Sequence, residues 1–465
     1  VTIDTTIAAL AAAMVALPLG AFSLGATLEV LGRTPSDRAL ARLAKATFAL
    51  STIAGLTAAV LFVAHGGGAV HAVLGHWFAL GHPEPHYGFD LGVLVDATSL
   101  VYLVLTAVLA GTVGAFSLRY LGAERGAGRF FQLLMLFAAA LSLLVVAESL
   151  DLFFVGWELV GISSALLIAF YRERSGPVRH GLAAFAIYRV CDVGLLAALV
   201  VVHHVAGTGS LPAAFARTLG ESSALALGLL LLFASLGKSA QWPFSGWLPR
   251  AMEGPTPSSA IFYGALSVHA GAYLLLRTAP LWEGSTVVRT AIVLVGVASA
   301  LSGTLIGRAQ TDAKSSLAYA SVTQVGLIYV EIGLGLHTLA LLHVAGHATL
   351  RTLELLRAPS LIADHQRLEA ELGVSVPRTG AHYERLLPAS WRQRLYVLAL
   401  ERGYLDALAA RFVQRARELV RALDRFDRRL ADVLDGELRR APSAPSDAPE
   451  SHPRREHAET AEVSR

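Results

Sequence analysis

The apolar residues of this chain are gathered into eleven blocks, each long enough to cross a bilayer. They run over about 5–31, 43–64, 92–118, 128–148, 150–171, 181–204, 222–249, 257–276, 288–307, 314–335 and 337–357. A helix rises about 1.5 Å per residue and the hydrocarbon core is about 30 Å thick, so a span needs about 20 mostly apolar residues. Backbone groups in lipid must be satisfied within the protein, which leaves helices or closed barrels. Barrel strands would be shorter and alternate in polarity. The pattern therefore predicts an all-α, polytopic membrane helix bundle of about eleven spans. Composition agrees, with 54% of the 465 residues hydrophobic and 16% charged, against about 45–50% and about 25% in an average soluble domain. These values exclude a disordered chain, a collagen-like chain and an ordinary cytosolic enzyme. A net charge of +3 gives no electrostatic basis for nucleic-acid binding. The single cysteine, Cys191, excludes a disulfide framework and a cysteine-based zinc or iron–sulfur site. The first block is not expected to be a signal peptide: it lacks a basic flank, contains Asp4 and exceeds the length of an h-region.

Orientation is set by Lys and Arg in the short loops. Thirteen of them, from Arg33 to Lys314, fall on one side of the predicted bundle, and only Arg217, Arg277 and Arg289 on the other. This bias places the N-terminus outside and the C-terminus in the cytoplasm. The predicted outer loop 65–91 holds five histidines (His65, His71, His76, His82, His86) but no cysteine, and a solvated loop without metal is expected. The membrane domain is expected to occupy 1–358, followed by a linker over 359–391. Residues 392–440 carry Leu405, Leu408, Phe412, Leu419, Leu423, Phe426, Leu430 and Leu434 on one helical face and a run of arginines on the other. That is an amphipathic helix suited to a membrane surface or a partner. The Pro- and Ser-rich stretch 441–465 is expected to be disordered.

The informative residues are the charged ones inside the spans, because each costs at least about 2.5–3.5 kcal/mol at the centre of a helix. Glu158 lies mid-span in DLFFVGWELVGISSALLIAFY among small residues that let helices approach and water enter. Burial disfavours an ionised carboxylate and a nearby ammonium restores it, which suits a proton site. Lys238 lies in SLGKSAQWPFSGWLPRAMEGPTPSS, just before Pro243. Proline breaks the helix there, and broken helices supply ion sites in transporters. Arg189 and Asp192 stand three apart in span six, on one helix face. Lys314 opens TDAKSSLAYASVTQVGLIYV, and His343 and His347 share a face of the next span with Arg351. Two histidines at that spacing suit a proton relay better than zinc, since no third ligand is apparent.

The segments FVGWELVGISSALLIAFY, KSAQ-x-P-x-x-x-WLP-x-AM-x-GPTP-x-SA at 238–260 and QTDAKSSLAYASVTQVG at 310–326 resemble the proton-conducting antiporter-like membrane subunits. This family includes the L-type subunit of NADH:quinone oxidoreductase, the A subunit of multisubunit Na⁺/H⁺ antiporters and the DabB subunit of inorganic-carbon uptake systems. The resemblance covers about 90–358. It implies two inverted five-helix repeats, each with a broken helix, and a hydrated axis of charged residues across the membrane centre. Glu158 falls on the family's membrane glutamate, Lys238 on its broken-helix lysine, and Arg189 and Asp192 in its R-x-x-D-like segment. Lys314 falls on its TD-x-K lysine, and His343 and His347 on its H-x-x-x-H pair.

Three departures stand out. Tyr263 occupies the place where the family usually has a histidine, with His269 six residues on as a substitute. Arg351 replaces a common lysine and, because arginine barely deprotonates, is expected to be a fixed countercharge. The second repeat is expected to be truncated after residue 357, with 392–440 resembling the family's lateral helix. The implied function is a proton-translocating subunit of a larger respiratory complex, with Glu158 and Lys238 exchanging as a pair and His343, His347 and Lys314 carrying the proton onward. The alternatives are a DabB-like subunit energising CO₂ or bicarbonate uptake with a soluble zinc partner, and a non-conducting membrane scaffold. No motif for NADH, flavin, quinone or metal occurs in the chain, so redox chemistry is expected in partner subunits, with the chain itself in a bacterial inner membrane.

Overall fold

Every apolar block becomes a helix, and polar caps set several of the starts. The computed structural model describes residues 2–80, 87–122, 124–373 and 388–434. The expected disordered tail, His82, His86 and the side chain of Tyr263 lie outside the described residues. Thr2 caps α1 (Ile3–Val30) and Ser36 caps α2 (Asp37–Ala64), each accepting from a backbone N–H of the first turn. An antiparallel hairpin follows, β1 (Val70–Leu80) and β2 (Tyr87–Val95). Then come α3 (Ala97–Tyr120), α4 (Ala127–Val146), α5 (Leu150–Ile168), α6 (Ser175–Ala206), the short α7 (Leu211–Phe215) and α8 (Glu221–Lys238). After a break the chain forms α9 (Trp247–Arg250) and α10 (Thr256–Ser258). A π-helical segment (Ser259–Leu266) and a 3₁₀ turn (Ser267–His269) lead into α11 (Ala270–Arg277). The remainder is α12 (Ala279–Trp282), α13 (Thr286–Ala309), α14 (Ala313–Gly333), α15 (His337–Leu372), α16 (Ala389–Leu400) and α17 (Leu405–Leu434).

Among the described residues, nine helical stretches are long and apolar enough to span a membrane. The protein is a multi-pass, all-α membrane bundle. The other two of the eleven blocks are α14 and α15, whose load of Lys314, Gln324, Glu331, His343, His347 and Arg351 lowers their hydropathy. Four expectations change. Residues 70–80 and 87–91 are strands rather than a solvated loop: Val70 pairs with Val95 and Leu80 with Tyr87 across the hairpin. Residues rich in β-branched and aromatic side chains favour strands, and Phe78 stacks on Phe89 with ring centroids 4.2 Å apart. Residues 92–95 belong to this hairpin, so the third span begins at Ala97 rather than 92. The charged segment after 392 is two helices rather than one. The chain turns at Gly403, whose φ of 66° lies in the left-handed region that glycine tolerates. Helix α15 also runs past 358 to Leu372, into the expected linker.

The chain divides into two units, Val1–Leu405 and Asp406–Arg465. Within the first, α13 and α14 meet backbone to backbone. A methyl group on Gly326 would stand 2.7 Å from the Gly296 carbonyl oxygen, so only glycine permits that approach. At the hairpin end, Asp96 caps α3 and pairs with the buried Arg277 at the end of α11, with oxygen–nitrogen distances of 2.6 and 3.1 Å. Burial pushes the Asp96 carboxyl up, but the Arg277 charge, its hydrogen bonds and the N–H of Ser99 outweigh it and hold the carboxyl below its ordinary value. In the second unit, α17 presents Leu408, Phe412, Leu419, Leu423, Phe426 and Leu430 as an exposed stripe.

Two outcomes follow. Substituting Gly326→Leu forces α13 from α14 and lowers the thermal unfolding midpoint in detergent, by the equivalent of about 1–3 kcal/mol for overpacking. The Asp96 contribution is full above the ordinary carboxylate range and is lost as pH falls through the depressed native value. The parent midpoint therefore drops on acidification below about pH 4, and Asp96→Asn starts lower at neutral pH and lacks that component.

Candidate functional site

Three spans bring four charged side chains into one string. Helix α5 carries Glu158, α6 carries Arg189 and Asp192, and the last residue of α8 is Lys238. The Arg189 guanidinium pairs with Glu158 through one nitrogen and with Asp192 through the other, the latter at 2.6 Å. Lys238 Nζ then lies 3.4 Å from Asp192 Oδ1. The order is Glu158–Arg189–Asp192–Lys238. The expected direct Glu158–Lys238 pair is therefore corrected: each has a different partner, and Arg189 with Asp192 stands between them. The i, i+3 spacing puts both of those side chains on the one face of α6 that points at α5 and α8.

Lys238 has no solvent exposure and Asp192 only 4%, whereas Arg189 is 35% exposed. The ammonium sits over two aromatic faces, 4.5 Å from the centre of Trp157 and 4.8 Å from that of Tyr188. Such faces attract a desolvated cation. Trp157 also donates its indole N–H to Asp192 Oδ1. Gly161 makes the space: a methyl there would be 3.1 Å from Lys238 Nζ.

Lys238 ends its helix because the chain breaks there. Ala240 adopts a φ of 50°, and Pro243 follows without an N–H to continue the helix. The freed backbone groups are satisfied locally, as burial demands. Trp247 donates to the Gly237 carbonyl at 2.9 Å, the Gln241 N–H to Leu236 at 3.0 Å, and the Trp242 N–H to Ser299 Oγ at 2.9 Å. Ser239 Oγ, next to Lys238, donates to the carbonyl of Val268, next to His269, at 2.6 Å.

That contact leads to a second cluster. His269 gives its Nδ1–H to the Ala265 carbonyl, so its neutral ring presents a lone pair at Nε2. His347 Nδ1 lies 3.0 Å from that lone pair and must donate to it. The neutral His347 then presents a lone pair at Nε2, an atom that is buried with no hydrogen-bond partner among the described residues. The two rings form a polarised file with one open acceptor. The His343 ring centre is 6.5 Å from that of His347. Arg351 is buried and pairs with Glu354 at 2.7 Å, a fixed charge one turn beyond His347. Lys314 is not brought to this cluster. It sits in the first turn of α14, about 25 Å along that helix from Glu331 at the rise of an α-helix, and no described contact joins it to a histidine.

Sequence reasoning passed over two groups. Glu331 and Gln324 on α14 hold His343 at 2.8 and 3.0 Å; a carboxylate inside a predicted span was the available signal. At the hairpin end, the buried Glu148 accepts from the Ser210 hydroxyl and faces His71 at 3.2 Å, and Asp151 meets His203 at 3.0 Å. Among the described residues no group of three or more His, Cys, Asp or Glu is placed to hold a metal.

Residues 147–372 match the family described as NADH:quinone oxidoreductase/Mrp antiporter, transmembrane. Subunit L of the NADH-quinone oxidoreductase of Mycobacterium tuberculosis is 35% identical over 283 residues, covering 60% of this chain and 44% of that one. Chain 5 of the NADH-ubiquinone oxidoreductase of Cryptococcus neoformans is 34% identical over 328 residues, covering 69% and 49%. The chain thus spans about half the length of the curated relatives it matches. Among solved structures, a chain of the Mrp complex from Dietzia sp. superposes with a TM-score of 0.62 at 25% identity, covering 76% of this chain and 37% of that one. A chain of the archaeal membrane-bound sulfane sulfur reductase shares the fold, with a TM-score of 0.63 at 17% identity, covering 84% and 81%. The resemblance carried by the motifs is supported over residues 147–372, which match the antiporter-like membrane family.

The pairing predicts a double-variant result. Asp192→Asn leaves Lys238 buried without a carboxylate and costs about 3–5 kcal/mol, the usual penalty for breaking a buried pair. Adding Lys238→Met removes the orphaned charge, and the unfolding midpoint of the double variant recovers most of the loss.

Proposed function

We propose that this chain is the proton-translocating membrane subunit of a larger complex of the NADH:quinone oxidoreductase type. Protons move between the Glu158–Arg189–Asp192–Lys238 string and the His269–His347–His343 file, near the middle of the bilayer. The observation that carries this reading is Lys238: an ammonium with no solvent exposure, bonded to a carboxylate that is itself shared with an arginine. At 3.4 Å and an effective dielectric of about 20, the ammonium and carboxylate attract by about 5 kcal/mol. Moving Asp192 toward Arg189 weakens that hold and releases the Lys238 proton; moving it back recaptures one. Arg189 stays charged throughout and serves as the pivot. The released proton has a short route, because Ser239 and Val268 bond directly and Ser164 Oγ lies 3.5 Å from Ser267 Oγ beside the same 3₁₀ turn. His347 Nε2 offers the open acceptor beyond.

The names of the relatives support a respiratory complex over a carbon-uptake system, and they support other membrane subunits as partners. Flavin, iron–sulfur and quinone chemistry is assigned to those partners. The loop charges support an N-terminus outside and a C-terminus in the cytoplasm of a bacterial inner membrane.

The test is proton flux in liposomes containing the purified complex, read with a pH-sensitive dye. Lys238→Ala lowers flux at least tenfold, about 1.4 kcal/mol in barrier, while the complex still assembles. Flux equal to the parent's would overturn the exchange mechanism. Flavin and iron–sulfur subunits in the purified complex support the respiratory assignment; a large soluble zinc protein in their place would replace it with carbon uptake.

A further inference from the structure

The histidine file has a carboxylate at its far end. Glu331 stands two residues before the end of α14, and His343 lies in the second turn of α15, so both sit close to the turn at 334–336. His343 Nδ1 is 2.8 Å from Glu331 Oε1, and His343 Nε2 is 3.0 Å from Gln324 Oε1. Gln324 presents an acceptor, so Nε2 must carry a hydrogen. A neutral His343 then has only a lone pair at Nδ1, facing another acceptor unless Glu331 is protonated. With the Gln324 carbonyl oxygen turned to Nε2, the 2.8 Å contact is a hydrogen bond in two states: imidazolium with carboxylate, or imidazole with carboxylic acid. Either way the pair holds one transferable proton. Glu331 Oε2 is buried and without a hydrogen-bond partner among the described residues. The charged and titratable groups around the pair are His347 on the same helix, Arg289 of α13, which donates to the carbonyls of Gly333 and Leu334, and His337 at the start of α15.

From this geometry we propose that Glu331 is the group through which the histidine file exchanges protons with the membrane face at the α14–α15 turn. In the step, the N–H bond at His343 Nδ1 breaks and an O–H bond forms at Glu331 Oε1. The carboxylic acid then turns about its Cγ–Cδ bond and releases that proton toward the face, and a proton taken up at the open His347 Nε2 passes to His343 and restores the N–H at Nδ1. Gln324 acts as a positioning residue that locks the His343 tautomer. The proposal rests on the transport reading above and gives its file an end.

The experiment uses the whole complex in liposomes with four variants, Glu331→Gln, Glu331→Asp, Gln324→Ala and Lys238→Ala, and records acid-minus-neutral infrared difference spectra of the same samples. Glu331→Gln is expected to cut flux about tenfold or more, Glu331→Asp to keep most of it, and a carboxylic-acid C=O band of the parent to vanish in Glu331→Gln and shift in Gln324→Ala. Parent-like flux in Glu331→Gln, beside a Lys238→Ala that is blocked, would overturn the proposal and leave the transport reading intact. Equal flux in the parent and Lys238→Ala would overturn the transport reading. The band still decides the one-proton pair in that case: its persistence in Glu331→Gln would contradict it.

Discussion

A charge in hydrocarbon must have a partner, and the core of this bundle is arranged around four that do. The string contains two acids and two bases, so with all four ionised it is formally neutral. One proton more or less leaves a net charge in a medium where a lone centre costs at least about 2.5–3.5 kcal/mol. Occupancy at one end therefore affects the other end. Arg189 holds both carboxylates at once, which makes it the hinge of that coupling. A simple Glu–Lys pair would store the same charge but would have no intermediate to shift.

The broken helix gives the string its position. Lys238 is the last residue of α8, and the chain beyond it is held by hydrogen bonds from Trp247, Gln241 and Ser299. The break begins at Ala240, and Ser239 just before it bonds the Val268 carbonyl and sets the lysine cluster one contact from the histidine file. The close α13–α14 approach at Gly296 and Gly326 then carries Gln324 and Glu331 into reach of α15.

The spans were legible in the sequence because bilayer thickness dictates their length and lipid excludes other folds. The charged residues were legible because hydrocarbon makes each of them expensive. Partnership was not. Lys238 meets Asp192 rather than Glu158 because the rotation of α6 against α5 and α8 decides it, and that is a matter of packing. Lys314 looked equivalent to the histidines in one dimension but lies at the other end of α14. The hairpin was hidden by its histidines, which suggested a solvated loop where Val70, Phe78, Phe89 and Val95 favoured strands. Glu331 was overlooked near a block end, where a carboxylate is cheap and draws little notice.

In the proposed function the lysine string and the histidine file form one proton-accessible path. The most direct measurement is a cryo-microscopy map of the intact complex at a resolution that shows ordered water. The account predicts water between Lys238 Nζ and the Ser239–Ser267 region, and a further water on His347 Nε2. Aliphatic side chains packed against both atoms, with no water between the clusters, would contradict it.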